Sequence, residues 1–157
     1  MRNIFKEIRA EAHCDIPCGI YEPTTAKIAA KTVARMVDQI TELAAPSDPT
    51  DAHAVAAFSN SISRRIAIKE QHAEACKQEL QVLWSDFFKT EHIEKFPNLH
   101  DTFWKALKLC SKNKQDVSKE AAADLVAAVD AIAKMFYEAK GDPERFVAYQ
   151  AITDKLY

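Results

Sequence analysis

A short segment near the start of the chain, HCDIPCGIY at residues 13–21, combines an imidazole, two thiols, a proline and one of only two glycines. The proline and the glycine interrupt helical and strand periodicity, so we expect an irregular loop. Thiolates beside imidazole and backbone nitrogen suit a late transition metal, and a planar nitrogen-rich set favours Ni(II) or Cu(II) over tetrahedral zinc. This segment, called the hook below, therefore predicts a metal site.

Two cysteines of the hook, Cys14 and Cys18, are the predicted thiolate ligands, and His13 directly precedes them. If His13 becomes the first residue, its α-amine, with an ordinary pKa of about 7.7–8.0, can bind metal near neutral pH. That amine, the Cys14 amide nitrogen and both sulfurs can then form a plane beneath the imidazole. A Cys14–Cys18 disulfide is the alternative, although its small loop contributes little entropy. Structural zinc is a weaker alternative, because no second ligand pair has suitable spacing.

The residues before the hook, Met1–Ala12, end in Ala-Glu-Ala, which resembles a cleavage site. They lack the apolar stretch of a secretory signal. Apolar residues among basic ones would also fit an organellar presequence, although two glutamates count against it, and a helical start is the ordinary alternative. Because the proposed ligand set needs the α-amine of His13, we expect residues 1–12 to be a removable leader.

The composition predicts one domain, residues 13–157, because 157 residues at 48% hydrophobic can build one core of ordinary size. A formal net charge of -2 indicates neither nucleic acid nor an anionic membrane as a partner. No apolar run approaches the roughly 18 to 20 residues of a bilayer span. Cys76 and Cys110 lie on apolar stripes and are assigned to the core. The four cysteines form no disulfide framework, which favours a reducing compartment, the cytoplasm.

Two glycines, abundant alanine and clustered Pro and Asx residues predict an all-α chain. The long helices are expected at about Thr24 to Ala45, Asp51 to Phe88, Leu99 to Gln115 and Val117 to Lys140. The stretch before Ser59 could instead be a separate short helix. Fairly short connections favour an antiparallel up-down-up-down four-helix bundle. The apolar stripes comprise Val33, Val37, Ile40 and Leu43 or Ala44; Ile62, Ile66, Ala73, Cys76, Leu80, Leu83 and Phe87; Leu99, Phe103, Leu107 and Cys110; and Leu125, Val129, Ile132, Ala133 and Phe136.

Local signals set the predicted helix ends. Asn98 is the expected N-cap of the third long helix, Asp116 that of the fourth, and Gly141 the fourth helix's terminator. Residues 90–97 are expected to form a compact loop. Asp-Pro at 142–143 predicts a short C-terminal helix within an extension of about residues 141–157.

The hook sequence HCDIPCGIY resembles the amino-terminal nickel hook of the nickel superoxide dismutase family, in which a leader ends just before the histidine. The stretches IKEQ (68–71) and LWSDFFKTEHIEKFPNLH (83–100) also resemble that family in the same order, and the likeness spans His13 to about Lys140. The resemblance implies a homohexamer of four-helix bundles with a protease that removes the leader. It further implies a superoxide dismutase that produces dioxygen and hydrogen peroxide by cycling nickel between Ni(II) and Ni(III).

By the same resemblance, His13 supplies the amine and the axial imidazole, Cys14 its amide nitrogen and thiolate, and Cys18 the second thiolate. Strong thiolate and amide donors bring Ni(III) within reach, because ligand identity tunes a redox potential. Asp15 matches a hook position of the family and is assigned to the catalytic site. Pro17 matches the proline that shapes the family's hook.

Tyr21 matches the tyrosine that faces the family's substrate pocket, where its phenol can hydrogen-bond to a small anion. Lys89 could add positive potential that attracts superoxide, although a solvated lysine is the ordinary role. A surface or capping role is expected for His92.

The departures from the family concern residues around the ligands. Ala29 and His72 occupy the positions of a glutamate and an arginine that hold the axial imidazole, and Phe87 that of a second pocket tyrosine. Outer-shell changes can alter affinity or activity by ~10–100-fold, so catalytic efficiency should suffer more than metal binding. His72 is a candidate replacement partner. The alternative function is a non-enzymatic helical bundle that binds nickel or copper or acts as a thiol switch, and retention of residues 1–12 would favour it.

Overall fold

The computed structural model describes residues 19–156 of the chain, and these residues contain six α-helices. In order they are α1 (Thr24–Thr41), α2 (Ala52–Val82), α3 (Thr90–Lys95), α4 (Leu99–Gln115), α5 (Lys119–Ala139) and α6 (Pro143–Thr153). A π-helical turn, Leu83–Phe87, extends α2. These residues contain no strand, so the all-α prediction is confirmed. Within the same range, no helix combines the length and the apolarity that crossing a bilayer requires.

The four long helices form a closed ring in which α1 and α4 each pack against both α2 and α5. Neighbouring helices run in opposite directions. Thr25, near the start of α1, donates a hydrogen bond from Oγ1 to Glu79 Oε2, near the end of α2, at 2.7 Å. The Trp84 indole N–H, just beyond α2, donates to His100 Nδ1 at the start of α4, at 2.9 Å. The predicted antiparallel four-helix bundle is therefore confirmed.

The core lies inside this ring and is built largely from the predicted stripes. Cys76 and Cys110 are both fully buried free thiols, as predicted. A hydrogen bond with Cys110, together with burial, raises the pKa of the Cys76 thiol well above its usual range, which keeps it neutral and unreactive. Ile62 and Ile66 are only half-buried. The buried stripe residues are Val33, Val37, Ala73, Cys76, Leu80, Leu83, Leu99, Phe103, Cys110, Leu125, Val129, Ile132, Ala133 and Phe136.

The structure defines the end of α1 and the start of α2. α1 ends at Thr41 rather than Ala45, because a residue that precedes a proline is disfavoured in the helical conformation. α2 is continuous through Ser59. It begins after Asp51, whose carboxylate accepts hydrogen bonds from two backbone N–H groups of the first turn at 2.9 and 3.1 Å.

Of two predicted N-caps, Asp116 was wrong, whereas Asn98 was right in position but makes no capping hydrogen bond. Asp116 does not cap α5; Ser118 does, accepting a hydrogen bond from the Ala121 N–H at 3.1 Å. Ser118 immediately precedes the first turn of α5, whereas Asp116 ends α4. Asn98 occupies the N-cap position of α4, but its side chain makes no capping hydrogen bond there and instead donates to Thr102 Oγ1 at 3.3 Å.

The predicted end of α5 at Gly141 is confirmed. Gly141 has φ of 74°, a left-handed conformation that favours glycine. Its N–H donates to the Glu138 carbonyl at 3.2 Å, and the Asp142 N–H donates to the Tyr137 carbonyl at 3.0 Å. This pair of bonds is a Schellman motif. Asp142 then caps α6 by accepting from the Arg145 N–H at 3.3 Å.

Lys69 interrupts the apolar stripe of α2 yet is only 2% exposed. Its ammonium donates to the carbonyls of Asn113, Lys114 (3.3 Å) and Asp116 (2.8 Å) at the end of α4. Burial lowers the pKa of Lys69. A cation at this point satisfies carbonyls that have no helical partner and interacts favourably with the helix dipole.

Replacing this amine should therefore destabilise the bundle. We expect Lys69→Met to lower the free energy of unfolding, measured with urea, by about 1–3 kcal/mol, because buried carbonyls lose their donor. The matched control is Lys105→Met, which removes an exposed ion pair with Asp101 and should change stability by less than about 1 kcal/mol. Equal losses in the two variants would contradict the capping role of Lys69.

Candidate metal centre and its cavity

The predicted metal ligands precede the described part of the chain. Within residues 19–156, no group of three or more His, Cys, Asp or Glu side chains is placed to hold a metal ion. The described chain starts at Gly19, directly after Cys18, with φ of 70°, so glycine is favoured where the hook meets the bundle. The residues whose placement stays a prediction are His13, Cys14, Asp15, Pro17 and Cys18.

A cavity of about 320 Å³ lies beside Gly19. It is bordered by the residues before α1, by the π-helical turn, by the start of α3 and by the end of α5. A larger groove of about 500 Å³ lies between α1 and α2, at Met36 and Arg64, toward the other end of α1. Of these two cavities, the smaller one is lined by described residues of the hook, Gly19 and Tyr21, so it is the candidate pocket. Its polar lining consists of Tyr21, Asp86, Lys89, Glu91, His92 and Lys140.

The π-helical turn, Leu83–Phe87, builds one wall of this cavity. The Phe88 N–H donates to the Leu83 carbonyl at 3.1 Å, five residues back, so the turn is wider than an α-helical turn. Phe87 lines the cavity, whereas Phe88 is 7% exposed and contacts the core ring of Phe103 at 5.4 Å between centroids. The turn thus directs adjacent phenylalanines to different surroundings.

Phe87 is the centre of an aromatic cluster. Its ring centroid lies 5.7 Å from that of Tyr21 and 4.4 Å from that of Phe136. The imidazole of His92 stacks on it at 5.7 Å with an interplanar angle of 11°. Such ring contacts hold side chains in defined orientations. The predicted pocket residues Tyr21 and Phe87 are therefore neighbours in the fold.

Two lysines bring positive charge to the cavity from different segments. Lys89 follows the π-helical turn, and Lys140 caps the end of α5. The Lys140 ammonium lies 5.3 Å from the centroid of the Phe136 ring, within cation–π range. Asp86 and Glu91 also line the cavity, so opposite charges share it. A small anion that enters would meet both lysines.

His92 fixes the backbone on which Lys89 lies. The Lys89 N–H donates to His92 Nδ1 at 3.0 Å, and the His92 N–H donates to the Lys89 carbonyl at 2.9 Å. This reciprocal pair starts α3: the imidazole takes the part that Glu or Gln plays at the third position of a capping box, while Lys89 contributes its carbonyl rather than a side chain. The prediction of a compact loop over residues 90–97 was therefore wrong, whereas the capping role expected for His92 is confirmed. Because Nδ1 accepts, a neutral ring carries its proton on Nε2.

The two contacts of His92 can be separated by substitution. We expect His92→Gln, which keeps an acceptor, and His92→Phe, which keeps a ring, each to lower the free energy of unfolding by about 1 kcal/mol, and His92→Ala by about 2 kcal/mol. Urea denaturation measures these losses. The exposed His53 offers a control, since His53→Ala should change stability by less than about 0.5 kcal/mol. A His92→Ala variant as stable as the control would contradict both contacts.

Ala29 and His72 lie elsewhere. Ala29 is 4% exposed inside the bundle, and His72 is half-buried on α2. Neither lines the cavity. His72 precedes Phe87 by roughly 22 Å along the helix axis, at 1.5 Å per residue. A role for His72 beside the metal stays a prediction.

The sequence indicated no catalytic or pocket role for four polar residues of the cavity, Asp86, Glu91, His92 and Lys140. His92 carried no capping-box signal, because lysine is not a capping residue and the third position of that motif is normally Glu or Gln. Lys140 has no local signal either. It reaches the cavity because α5 ends beside the π-helical turn, which only the tertiary fold determines.

The family model for nickel-containing superoxide dismutase matches residues 8–140 of this chain. Two curated proteins named superoxide dismutase [Ni] are similar along most of their length. The one from Streptomyces coelicolor is 37% identical over 138 residues, which cover 85% of this chain and 92% of that protein. The one from Streptomyces seoulensis is 38% identical over 137 residues, with the same shares covered.

Solved structures of nickel superoxide dismutase share the fold. The native structure has a TM-score of 0.68 and 35% identity, and the match covers 82% of this chain and 99% of that chain. A structure with nickel ligation corresponding to the oxidised state gives the same values. The likeness in sequence and in three-dimensional structure therefore extends over the whole bundle. The chain belongs to the nickel-containing superoxide dismutase family.

Proposed function

We propose that this protein is a nickel-dependent superoxide dismutase, in which two superoxide anions and two protons give dioxygen and hydrogen peroxide. One observation carries the proposal: the family match over residues 8–140 includes the hook sequence. The last part of the hook, at Gly19 and Tyr21, lines a cavity together with Lys89 and Lys140.

The donors in the hook fit nickel. His13 would contribute its α-amine and imidazole, Cys14 its amide nitrogen and thiolate, and Cys18 the second thiolate. Soft sulfur with planar nitrogen donors suits a late transition metal better than calcium or magnesium, which prefer oxygen. When held by these donors, nickel would supply one-electron exchange with superoxide through its Ni(II) and Ni(III) states.

The chain's own residues attract and orient the anion. Lys89 and Lys140 bring two ammonium groups to the cavity. Because the carboxylates of Asp86 and Glu91 line it too, the lysines act as local contacts for the anion rather than through a net positive field. Tyr21 lines the same cavity, held against Phe87, and its phenol can donate a hydrogen bond to superoxide. We assign Asp15 to the catalytic site and Pro17 to shaping the loop that carries the ligands.

We further propose that a protease removes residues 1–12 and that the mature protein assembles as a homohexamer. The first step would expose the α-amine of His13 as a ligand. The cytoplasm is the proposed location, because Cys76 and Cys110 are free thiols in the core, which a reducing compartment preserves.

The test is stopped-flow measurement of superoxide decay with protein that begins at His13, loaded with nickel, beside the same preparation stripped of metal. Fast decay only with nickel is expected, and would show that Ala29 and His72 are tolerated. Equal slow decay in both preparations would overturn the proposal and leave the hook as a non-enzymatic metal-binding element.

A further inference from the structure

Three side chains converge on the carboxylate of Glu22, four residues after Cys18. The Tyr137 O–H and the Thr24 hydroxyl both donate to Oε1, the latter at 2.8 Å. Arg145 Nη2 donates to Oε2 at 3.3 Å. Glu22 is thus held by α5, through Tyr137, and by α6, through Arg145. The short stretch between the hook and α1 is anchored at this residue.

Tyr137 makes the firmest of these contacts. Its side chain is 2% exposed, in the core. Burial, together with the nearby Glu22 carboxylate, raises the pKa of Tyr137 well above its ordinary value. The phenol therefore remains a donor at neutral pH, and a hydrogen bond to an ionised carboxylate is stronger than one between neutral groups.

α6 is itself fixed to the bundle. The Tyr149 O–H donates to Asp130 Oδ1 at 3.2 Å, and the buried Lys27 ammonium pairs with Asp130 Oδ2 at 2.5 Å. Lys31 donates to two carbonyls at the end of α6 at 3.0 and 3.2 Å. Because Lys27 and Lys31 belong to α1, α6 lies across the first turns of that helix. Arg145 therefore contacts Glu22 from a helix that is itself held against the bundle.

α6 also lies outside the family region, which ends at residue 140. We propose that α6 and Tyr137 form a clamp on Glu22 that positions the hook, so that retention of nickel in this chain depends on a helix beyond the shared family region. The inference rests on the proposed function, since it assumes that the hook binds nickel. Tyr137 and Arg145 act as positioning residues through Glu22.

The test uses the protein prepared for the dismutase assay, with Tyr137→Phe and Arg145→Met made singly and together. Release of nickel into an excess of chelator should be about 10-fold faster in the double variant, the lower end of what outer-shell changes cost. In the Tyr137→Phe background, Arg145→Lys keeps the positive charge, so nickel release should be slower than in the double variant with Arg145→Met. Lys155→Met, at an exposed position just beyond α6, is the matched control and should release nickel within about twofold of the parent.

A second readout separates positioning from general stability. The thermal midpoint is measured with and without nickel, because a ligand stabilises the fold in proportion to its affinity. A clamp on the hook predicts a smaller nickel-induced rise in the double variant. Parent-like release, or equal loss of midpoint with and without nickel, would overturn the clamp. If the parent dismutes superoxide while the variants give either of these results, only the clamp is overturned and the proposed function stands. If the parent neither binds nickel nor dismutes superoxide, both the clamp and the proposed function are overturned.

Discussion

Replacing Cys14 or Cys18 by serine should reduce nickel-dependent superoxide decay to the rate of the metal-free protein, with no change in helical content. A serine hydroxyl is a hard, weakly acidic donor and cannot replace a thiolate on nickel. The bundle should persist because its core is built from residues of α1, α2, α4 and α5, beginning with Ala26. Stopped-flow decay measures activity, metal analysis measures nickel content, and far-ultraviolet circular dichroism measures helix.

The control for these variants is Cys110→Ala, which removes a buried thiol from the core. That variant should lose stability, since a small cavity forms, but should retain nickel and dismutation. Parent-like decay in either hook variant would contradict the assignment of Cys14 and Cys18 as ligands. Lost activity in Cys110→Ala at full nickel content would contradict its assignment to the core.

Protein that keeps a single extra residue, Ala12, before His13 should lose nickel-dependent dismutation by more than about 100-fold. Outer-shell changes cost about 10–100-fold, and loss of a ligand should cost more. The extra residue converts the α-amine of His13 into an amide, which is not basic enough to bind metal in the same way. Stopped-flow decay of the two preparations, at equal nickel supplied, measures the effect.

The control is the chain beginning at His13 with its α-amine acetylated, which removes the amine without adding a side chain. It should match the extended protein. Equal activity of the extended and the trimmed proteins would show that the amine is not a ligand, and the donor set proposed for the hook would be wrong.

Much of the fold was predictable because helix patterns are local. The apolar spacing of Leu125, Val129 and Phe136 located α5 and its buried face, and Gly141 located its end. Which of two polar residues capped α5 was not predictable, since Asp116 and Ser118 are both good caps. The choice depends on where the chain turns from α4 into α5. The hydrogen bond from the Lys69 ammonium to the Asp116 carbonyl helps to fix the position of that turn.

The candidate site was predictable in part. Tyr21 and Phe87 could be placed at a pocket through the family resemblance, and in the fold their rings lie 5.7 Å apart. Lys140 could not be predicted, because its place beside Lys89 depends on the packing of α5 against the rest of the bundle. The contact of Arg145 with Glu22 could not be predicted either, because it joins α6 to the short stretch before α1.

The π-helical turn at Leu83–Phe87 makes the cavity sensitive to the number of residues in the chain rather than to their type. Because a π-helical turn holds one residue more than an α-helical turn, deleting one residue there would let the segment close as an ordinary α-helical turn, with the chain before and after it nearly in place. The wall would lose one side chain and the extra width of the turn. A single deletion would therefore reshape this cavity while leaving the four-helix bundle intact.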